Sequence, residues 1–391
     1  MNEFLGYERP DGSVGIRNHL LVMAPIDCSY EPARQVAGRV AGAVAVTQYH
    51  GCDANSMVVN TLVGIGRNPN VAGILVFGLG CESLTTDLLM EKLAVSGKPI
   101  EALVIQREGG TIAASEKGVR ILQKMARHVG RQKRMPFPVS KLTLALECGG
   151  SDATSGLAAN PAVGGTADML IDAGGTVIFS ETSEMIGTQH ILARRAVNAQ
   201  VAQDICNMIE QEEQRLLAAG VKSRYMSKGN IDGGLTTIEE KSLGAVYKGG
   251  TRPIQGVLQH DWQRLDVPAG PGLWLQDGTG WDVPSITHMA AAGAQIACFT
   301  SGKGSTTGHA IVPVLKITGN PETFRRLQDN IDVNAGVILG GGESMDSVSR
   351  KIFDMMLETA SGRKTKAEAL GFKDFVVFSR NRAAESLLGY C

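Results

Sequence analysis

Two short apolar runs, Leu20-Leu-Val-Met-Ala24 and Gly73-Ile-Leu-Val-Phe77, indicate how the first part of the chain folds. Runs of this length and composition are typical of buried parallel strands. Each is followed by a segment of helical composition, at Glu31–Val40 and at about Thr85–Val95. Because strands and helices continue to alternate at this spacing, we predict βαβ units around a parallel sheet. The other elements predicted here are strands at 44–47 and 102–106 and helices at 56–65 and 111–129.

A break in this pattern near Arg131–Pro138 predicts an α/β domain at 1–135 and a larger α/β catalytic region at 139–391. Both are predicted to contain Rossmann-like parallel sheets. Residues 222–284 are rich in glycine and show no clear period, so we expect an irregular insertion there. The sequence leaves open whether the later strands extend the first sheet or form a second one. The elements predicted in this region are strands at 142–146, 176–179, 295–300, 312–318 and 375–378 and helices at 196–219 and 345–359.

Charge and composition exclude several classes of partner. The 391 residues carry a formal net charge of −1, which gives no broad attraction to nucleic acid or to an anionic membrane. No apolar stretch approaches the roughly 20 residues that span a bilayer, and the N-terminus has no secretory signal. The seven cysteines are odd in number and form no CxxC pair, so we expect free thiols in the cytoplasm.

Reactive side chains follow several predicted strands. His50 and Cys52 come after the second strand, Cys81 after the third, and Cys148 after the strand at 142–146. Ligands of open parallel sheets bind beyond the carboxyl ends of the strands, so these residues are candidate metal ligands. A single cysteine is more often a small buried hydrophobic residue, and Cys28, after the first strand, is open to either interpretation. We assign no role to Cys206 or Cys391, which lie in a predicted helix and at the end of the chain.

Carboxylates near the strand ends are candidate acids and bases. They could serve a reaction that moves protons, in which a divalent metal is the electrophile. Glu181 and Glu184 follow the strand at 176–179, with His190 six residues later. They could instead begin a helix, and His190 could lie on a helix surface. Asp152 could be only a helix cap and Asn160 only part of a turn.

The glycine-rich segment Ser301-Gly-Lys-Gly-Ser-Thr-Thr-Gly308 resembles a phosphate-binding loop only in composition. Its lysine comes too early for the GxxxxGK[ST] order, so nucleotide binding is not expected. A cradle for a carboxylate or a polyol is a better interpretation, with Lys303 as the positive charge. His309 closes the segment and is expected to face the same ligand, whereas His288 is expected to pack inside a helical layer.

Taken together, these motifs resemble the altronate and galactarate dehydratase family. The resemblance begins at Gly6-Tyr-Glu-Arg-Pro-Asp-Gly-Ser-Val-Gly-Ile-Arg-Asn18 and runs in order over nearly the whole chain. The later blocks are His50-Gly-Cys52, Gly78-Leu-Gly-Cys-Glu82, Cys148-Gly-Gly-Ser-Asp152, Ser155-Gly-Leu-Ala-Ala-Asn-Pro-Ala162, Glu181-Thr-Ser-Glu184, Gly229-Asn230, Gly233-Gly-Leu-Thr-Thr-Ile-Glu-Glu-Lys-Ser-Leu-Gly244, Pro313-Val-Leu-Lys316 and Asp332-Val-Asn-Ala-Gly336.

The resemblance implies dehydration of a sugar acid, such as altronate or galactarate, to a 2-keto-3-deoxy acid. It also implies a divalent metal, Fe²⁺ or alternatively Mn²⁺. Departures such as Gly302-Lys-Gly304, where relatives have Gly-Arg-Gly, leave the sugar acid itself open. The residues assigned to the site are Glu181, Glu184, His190 and Lys303 for catalysis, Ser151, Asp152, Asn160, Lys241 and His309 for substrate binding, and His50, Cys52, Cys81 and Cys148 for the metal.

Several alternatives stay open at this point. Cys52, Cys81 and Cys148 could hold an iron–sulfur cluster with one open iron in place of a single ion. Related members of the family eliminate sulfite from sulfolactate, but the His-Gly-Cys and Gly-Leu-Gly-Cys blocks lead us to expect a position nearer the dehydratases. A non-catalytic sugar-acid-binding subunit is a further alternative.

The resemblance also implies partners. Full-length dehydratases usually begin with a small domain before the block that contains Gly6 and Tyr7, so we expect a separate small subunit to supply it here. We also predict self-association, since soluble enzymes of this size are often symmetric dimers.

Overall fold

A computed structural model describes residues 3–52, 55–221, 226–260 and 263–379, which leaves Asp53 and Cys391 outside the described residues. Within these ranges the strands form three sheets. In chain order they are β1 Glu3–Glu8, β2 Val14–Gly15, β3 His19–Met23, β4 Ala43–Val46, β5 Val71–Gly78, β6 Ile100–Val104, β7 Met135–Pro138, β8 Thr143–Cys148, β9 Thr176–Phe179, β10 Ile254–Leu258, β11 Gly272–Gln276, β12 Ile296–Thr300, β13 Val314–Thr318 and β14 Val333–Asn334.

Helices connect these strands and cover the sheets. None of those in the described ranges is both long and apolar enough to cross a membrane. In chain order they are α1 Tyr30–Gly38, α2 Ser56–Arg67, α3 Thr86–Ala94, α4 Thr111–Val129, α5 Asn160–Asp172, α6 Gln189–Ala193, α7 Ala199–Ala218, α8 Lys228–Asp232, α9 Ile238–Val246, α10 Asp282–Ala291, α11 Pro321–Arg326, α12 Met345–Ala360 and α13 Lys366–Ala369.

The first βαβ region forms a four-stranded parallel sheet in the order β4-β3-β5-β6. Every residue of β5 is buried, because apolar side chains pack against both faces of the sheet. This explains why the strands appear in the sequence as continuous apolar runs. The predicted α/β class with parallel sheets is therefore confirmed, and α4 has the predicted bounds.

The second region forms a separate seven-stranded parallel sheet in the order β10-β11-β9-β8-β12-β13-β14. The later strands therefore do not extend the first sheet, which answers the question that the sequence left open. Residues 222–284 are more regular than predicted, since they contain α8, α9, β10 and β11. Only alternate residues of β10 are fully buried, so it has no continuous apolar run to reveal it.

Two short segments differ from their sequence interpretation. Residues 375–378 form no strand. Instead, the buried side chain of Phe378 packs edge to face against Trp281, with ring centroids 5.8 Å apart. Met135–Pro138, within the predicted boundary, is a strand that pairs with β1 in a small antiparallel sheet. Its two prolines are tolerated because this strand lies at the edge of the order β2-β1-β7.

Arg17 connects the N-terminal segment to residues 359–368 by hydrogen bonds. Its guanidinium donates to both carboxylate oxygens of Glu368, at 2.7 and 2.8 Å. It also donates to the carbonyl oxygens of Ile16, Thr359 and Arg363, at 2.8 to 2.9 Å. The guanidinium thus satisfies acceptors from both regions, and its side chain is only 10% exposed.

We expect Arg17→Met to lower the free energy of unfolding by about 3 kcal/mol, because the Glu368 carboxylate loses both of its bonds to the guanidinium and three carbonyl oxygens each lose one donor. The control is Arg34→Met, which removes an exposed pair with Glu31 and should cost less than about 1 kcal/mol. Urea unfolding followed by circular dichroism measures both changes. Equal effects of the two substitutions would show that Arg17 does not hold the regions together.

Candidate functional site

Two of the predicted residues lie at or just after the ends of adjacent strands at the centre of the seven-stranded sheet. Cys148 is the last residue of β8, and Glu181 follows the end of β9 by two residues. The strands pair in parallel, with Leu146 opposite Phe179, so their following loops lie side by side. Glu184 lies in the 3-10 turn of Thr182–Met185, directly after Glu181. The carboxyl edge of the sheet therefore brings a thiol and two carboxylates together.

These three side chains form one buried polar cluster with two lysines. The Cys148 thiol donates to Glu184 Oε2 at 2.9 Å, and Lys248 Nζ donates to Cys148 Sγ at 2.8 Å. Lys248 also forms an ion pair with Glu181, and Lys241 forms one with Glu184. None of the four paired side chains is more than 4% exposed. Each ammonium group therefore faces one carboxyl group inside the protein.

Glu181 has a strained backbone. Its φ of 74° and ψ of 60° are left-handed, and no other non-glycine residue in the described ranges has a positive φ. Such a conformation costs on the order of 1–3 kcal/mol and persists only where the surroundings enforce it. Here the Glu181 carboxylate accepts a hydrogen bond from the backbone N–H of Cys148 at 3.1 Å. The strain places the carboxylate against the end of β8.

Burial and charge separate the acidities of the two carboxyl groups. Burial raises the pKa of Glu181 to about 8, although Lys248 opposes this shift. Burial also disfavours the ionised form of Glu184, but Lys241 and Lys248 outweigh it and lower the pKa of that group. Burial and the two glutamates raise the pKa of the Cys148 thiol well above its usual range. At neutral pH, Glu184 is thus ionised, and Glu181 and Cys148 are mainly protonated.

Two residues of the site had no assigned role in the sequence interpretation. Lys248 lies in the 3-10 turn Tyr247–Gly249 and is completely buried. Lysine is normally exposed, and nothing in Tyr247-Lys-Gly249 marks this one as different. Glu147, in β8, is also buried; burial and then Glu181 raise its pKa well above the usual range. A charged residue at the end of a strand that is predicted to be buried was the signal in the sequence that could have identified it.

A cavity of about 250 Å³ borders the cluster. Lys241 connects the two, because it lines the cavity and its Nζ contacts Glu184. Of the five residues predicted to bind substrate, four line this cavity: Ser151, Asp152, Asn160 and Lys241.

Asp152 and Asn160 also have local structural partners. Asp152 Oδ1 accepts from the backbone N–H of Thr154 at 2.9 Å, in the manner of a cap. Asn160 donates to the carbonyl oxygen of Gly244 at 2.9 Å and accepts from the Thr300 hydroxyl at 2.6 Å. These bonds fix the cavity wall, so the side chains are held in place before any ligand binds.

Three predicted residues lie apart from the cluster. His309 lines another cavity, of about 380 Å³, and its Nε2 is 3.3 Å from the Thr287 hydroxyl. His190 is exposed on α6, and Lys303 is exposed in the loop after β12. The backbone N–H of Lys303 donates to the carbonyl oxygen of Gly150 at 3.1 Å, which joins its loop to the one after β8.

Models of one family cover most of the sequence. The description "D-galactarate/Altronate dehydratase, C-terminal" matches residues 139–383, and "D-galactarate dehydratase/Altronate hydrolase, second domain" matches residues 6–130. The chain belongs to the galactarate/altronate dehydratase family. The resemblance noted in the sequence is thereby confirmed.

Named relatives within the galactarate/altronate dehydratase family include dehydratases and a sulfo-lyase. The chain is 37% identical over 385 residues to (2R)-sulfolactate sulfo-lyase subunit beta of Chromohalobacter salexigens, covering 96% of both chains. It is 31% identical to altronate dehydratase of Bacillus subtilis, covering 96% of this chain and 77% of that one. For galactarate dehydratase (L-threo-forming) of Escherichia coli, the identity is 33% and the coverages are 92% and 73%. The identity to the sulfo-lyase subunit is thus higher than the identities to these two dehydratases, while the expectation that this chain lies nearer the dehydratases in function stays a prediction.

The four metal ligands predicted for this family member do not gather at one point. Cys148 is buried, whereas Cys52 and Cys81 are exposed. His50 Nε2 lies 2.7 Å from the carbonyl oxygen of Val377. Among the described residues, Cys148, Glu181 and Glu184 form the set whose candidate ligand atoms all lie within 4.8 Å of one another.

That group is a candidate metal site by its spacing, and Glu181 Oε1 is buried without a hydrogen-bond partner. A divalent cation there, however, would lie beside the ammonium groups of Lys241 and Lys248, and Cys148 would have to lose a proton that burial favours. The residues present therefore suit proton transfer better than binding of a divalent metal.

Burial predicts which thiols react with iodoacetamide in the native, metal-free protein. At about pH 8, Cys28, Cys52 and Cys81 should be alkylated quickly because they are exposed. Cys148 should react only after unfolding, as should the control Cys298, whose pKa burial raises to about 12. Peptide mapping by mass spectrometry measures the five rates. Native labelling of Cys148 as fast as that of Cys52 would contradict the buried cluster.

Proposed function

We propose that this protein is a metal-dependent hydro-lyase that converts a sugar acid, such as altronate or galactarate, to a 2-keto-3-deoxy acid. The observation that carries the proposal is the buried cluster of two carboxylates, two ammonium groups and a thiol beside a cavity. Named relatives are dehydratases and a sulfo-lyase, all of which are lyases. The non-catalytic alternative is disfavoured, since a pure binding site has no need for carboxyl groups of such different acidity.

Elimination of water from a hydroxy acid makes negative charge where the α-proton leaves. The buried ammonium groups of Lys241 and Lys248 are already oriented by their glutamates, so they can stabilise that charge without reorganisation. Because Lys241 lines the cavity, it is the group that meets the substrate carboxylate first. Ser151, Asp152 and Asn160 supply polar contacts to the hydroxyl groups of the sugar acid.

The two glutamates are assigned opposite roles in proton transfer. Glu184 is ionised and adjoins Lys241, so it accepts the α-proton. Glu181 keeps its proton up to about pH 8 and donates it to the departing hydroxyl group. Pairs of carboxyl groups whose surroundings push their pKa values apart commonly divide the acid and base roles in this way.

The proposal retains the predicted divalent metal, Fe²⁺ or alternatively Mn²⁺, but none of the proton-transfer roles above depends on it, because the lysine–glutamate cluster does not suit a divalent ion. The roles of His190, Lys303 and His309, and metal ligation by His50, remain predictions. Lys303 is the best placed of these, since its loop is bonded to the loop that carries Ser151.

A sulfo-lyase is the second candidate. It is supported by the 37% identity, over 96% of both chains, to (2R)-sulfolactate sulfo-lyase subunit beta. Sulfolactate is also a hydroxy acid, so the same base and ammonium groups would serve its elimination, with sulfite as the leaving group. Sulfite is a weak base and leaves without a proton, so this reaction would not need Glu181 as an acid.

The activity is tested with anaerobic protein, Fe²⁺ and a panel of sugar acids together with sulfolactate, with the 2-keto sugar acid and sulfite assayed separately. Glu184→Gln should lower kcat/KM by about 10²–10⁴-fold through loss of the base. The control Glu240→Gln removes a carboxylate that lines the same cavity, but bonds to Thr236, and should have little effect.

The pH profile tests Glu181 in the same assay. Because the acid form is needed, kcat/KM should fall as the pH rises through about 8, where Glu181 loses its proton. This fall should be absent from the residual activity of Glu181→Gln. Near-normal turnover of Glu184→Gln would remove that residue from the mechanism, and sulfite release without 2-keto sugar acid would favour the second candidate.

The proposal includes a small partner subunit. A relative that matches over 96% of its length is itself named a subunit beta, which supports assembly with another chain. Self-association remains a prediction beside it. Purification of the tagged chain from its native host should recover a small protein that raises turnover when added back. Full activity of the isolated chain, unchanged by any co-purified protein, would defeat the partner proposal and leave the dehydratase assignment intact.

A further inference from the structure

Three exposed cysteines lie at the carboxyl edge of the four-stranded sheet. Cys28 follows β3, Cys52 follows β4 and Cys81 follows β5, and these strands are neighbours in the order β4-β3-β5. All three thiols are free and exposed. Cysteine is ordinarily among the most buried residue types, so three exposed thiols on adjacent loops need a chemical explanation.

Hydrogen bonds join the three loops to one another. The Gln48 side-chain amide donates to the carbonyl oxygens of Pro25 and Gly51, at 2.9 and 3.0 Å, which connects the Cys28 and Cys52 loops. The backbone N–H of Ser83 donates to the carbonyl oxygen of Cys52 at 3.2 Å, which connects the Cys52 and Cys81 loops. The cysteines are therefore held at one place on the surface.

Two of the loops turn at a glycine directly before the cysteine. Gly51 and Gly80 have φ values of 78° and 124°, which other residues rarely adopt. A Cβ at Gly80 would also lie 2.7 Å from Gln106 Oε1. After this turn, the Glu82 carboxylate accepts from the N–H groups of Gly80 and Cys81, at 2.6 and 3.1 Å. The Cys81 loop thus has a defined shape before any ligand binds.

The three sulfurs do not lie close enough together to share one metal ion. Although hydrogen bonds join their loops, these described thiols do not form a set within 4.8 Å of one another, as the Cys148 group does. Sulfurs that share one ion must lie close together, whereas those that hold a cluster each bind a different iron and lie farther apart.

The other candidate ligands are engaged elsewhere. Cys148 is buried, and its sulfur accepts from Lys248. His50 Nε2 is within hydrogen-bonding distance of the carbonyl oxygen of Val377. Neither side chain is therefore available to join the three exposed cysteines. The resulting set is Cys28, Cys52 and Cys81, whereas the set predicted from the sequence contains Cys148 in place of Cys28.

We propose that Cys28, Cys52 and Cys81 hold a [4Fe–4S] cluster, each thiolate binding one iron. The fourth iron has no protein ligand among these residues and is open to an oxygen ligand such as the hydroxyl or carboxylate of a hydroxy acid. The proposal does not depend on the dehydratase assignment. It does explain how a metal-dependent member of this family can keep its lysine–glutamate cluster free of metal.

The cluster site and the lysine–glutamate site are linked by a short chain of contacts. His50, beside Cys52, meets the carbonyl oxygen of Val377, and Phe378 packs on Trp281. The next residue, Asp282, has its pKa raised to about 6, first by burial and then by Glu184.

The experiment measures the cofactor directly and uses no substrate. The full chain is purified without oxygen and reconstituted with Fe²⁺ and sulfide. It should contain roughly four irons and four acid-labile sulfides per chain and absorb broadly in the visible range. Cys28→Ser should lose nearly all of the sulfide and the visible absorption. Cys81→Ser should show the same loss, which guards against a folding defect peculiar to one variant.

Two matched controls separate the alternatives. Cys206→Ser, in α7, and Cys148→Ser should both keep iron, sulfide and absorption. Circular dichroism confirms that each variant is folded. The proposal is overturned if Cys28→Ser keeps its sulfide while Cys148→Ser loses it, if iron binds without sulfide, or if the exposed cysteines form a disulfide under these conditions. Lack of activity on sugar acids would defeat the proposed function only, because sulfide and absorption are measured without substrate.

Discussion

A lysine ammonium group buried in a protein needs hydrogen-bond acceptors and nearby negative charge, and the centre of the larger sheet is organised around that constraint. Lys248 is completely enclosed and contacts both Glu181 and Cys148. Leaving one such charge unpaired would cost several kcal/mol, so the two lysines and two glutamates constrain one another. The resulting pairs divide the acidities of the glutamates, and this division is what makes the cluster useful for moving protons.

The elements that sequence could predict are those whose burial is uniform. The strands of both parallel sheets appear as apolar runs because side chains cover both of their faces, and α4 was recognised by its composition. The half-buried β10 and the proline-containing β7 gave no such signal, since edge strands tolerate polar residues and proline. Residues 375–378 are misleading for the opposite reason: Phe375 and Val377 pack against the core and Phe378 against Trp281, but the backbone does not pair with a strand.

The site was predictable to the extent that residues follow strand ends. That rule identified Cys148, Glu181 and Glu184, which the structure brings together. It could not assign Cys52 and Cys148 to different sheets, because it gives the edge on which a residue lies but not the sheet to which that edge belongs. Nor could it find Lys248, which reaches the cluster from a turn after α9, far from any strand end.

The left-handed backbone at Glu181 has a consequence for the engineering of this protein. Glycine would relax that conformation by about 1–3 kcal/mol, but it would also leave the buried Lys248 without its partner, which costs about 3–5 kcal/mol. Glycine becomes favourable for stability only when Lys248 is replaced by a neutral residue at the same time. Stabilising designs that change both positions together should therefore be assayed for activity, because they would raise the melting temperature while removing a carboxyl group that lies against the end of β8.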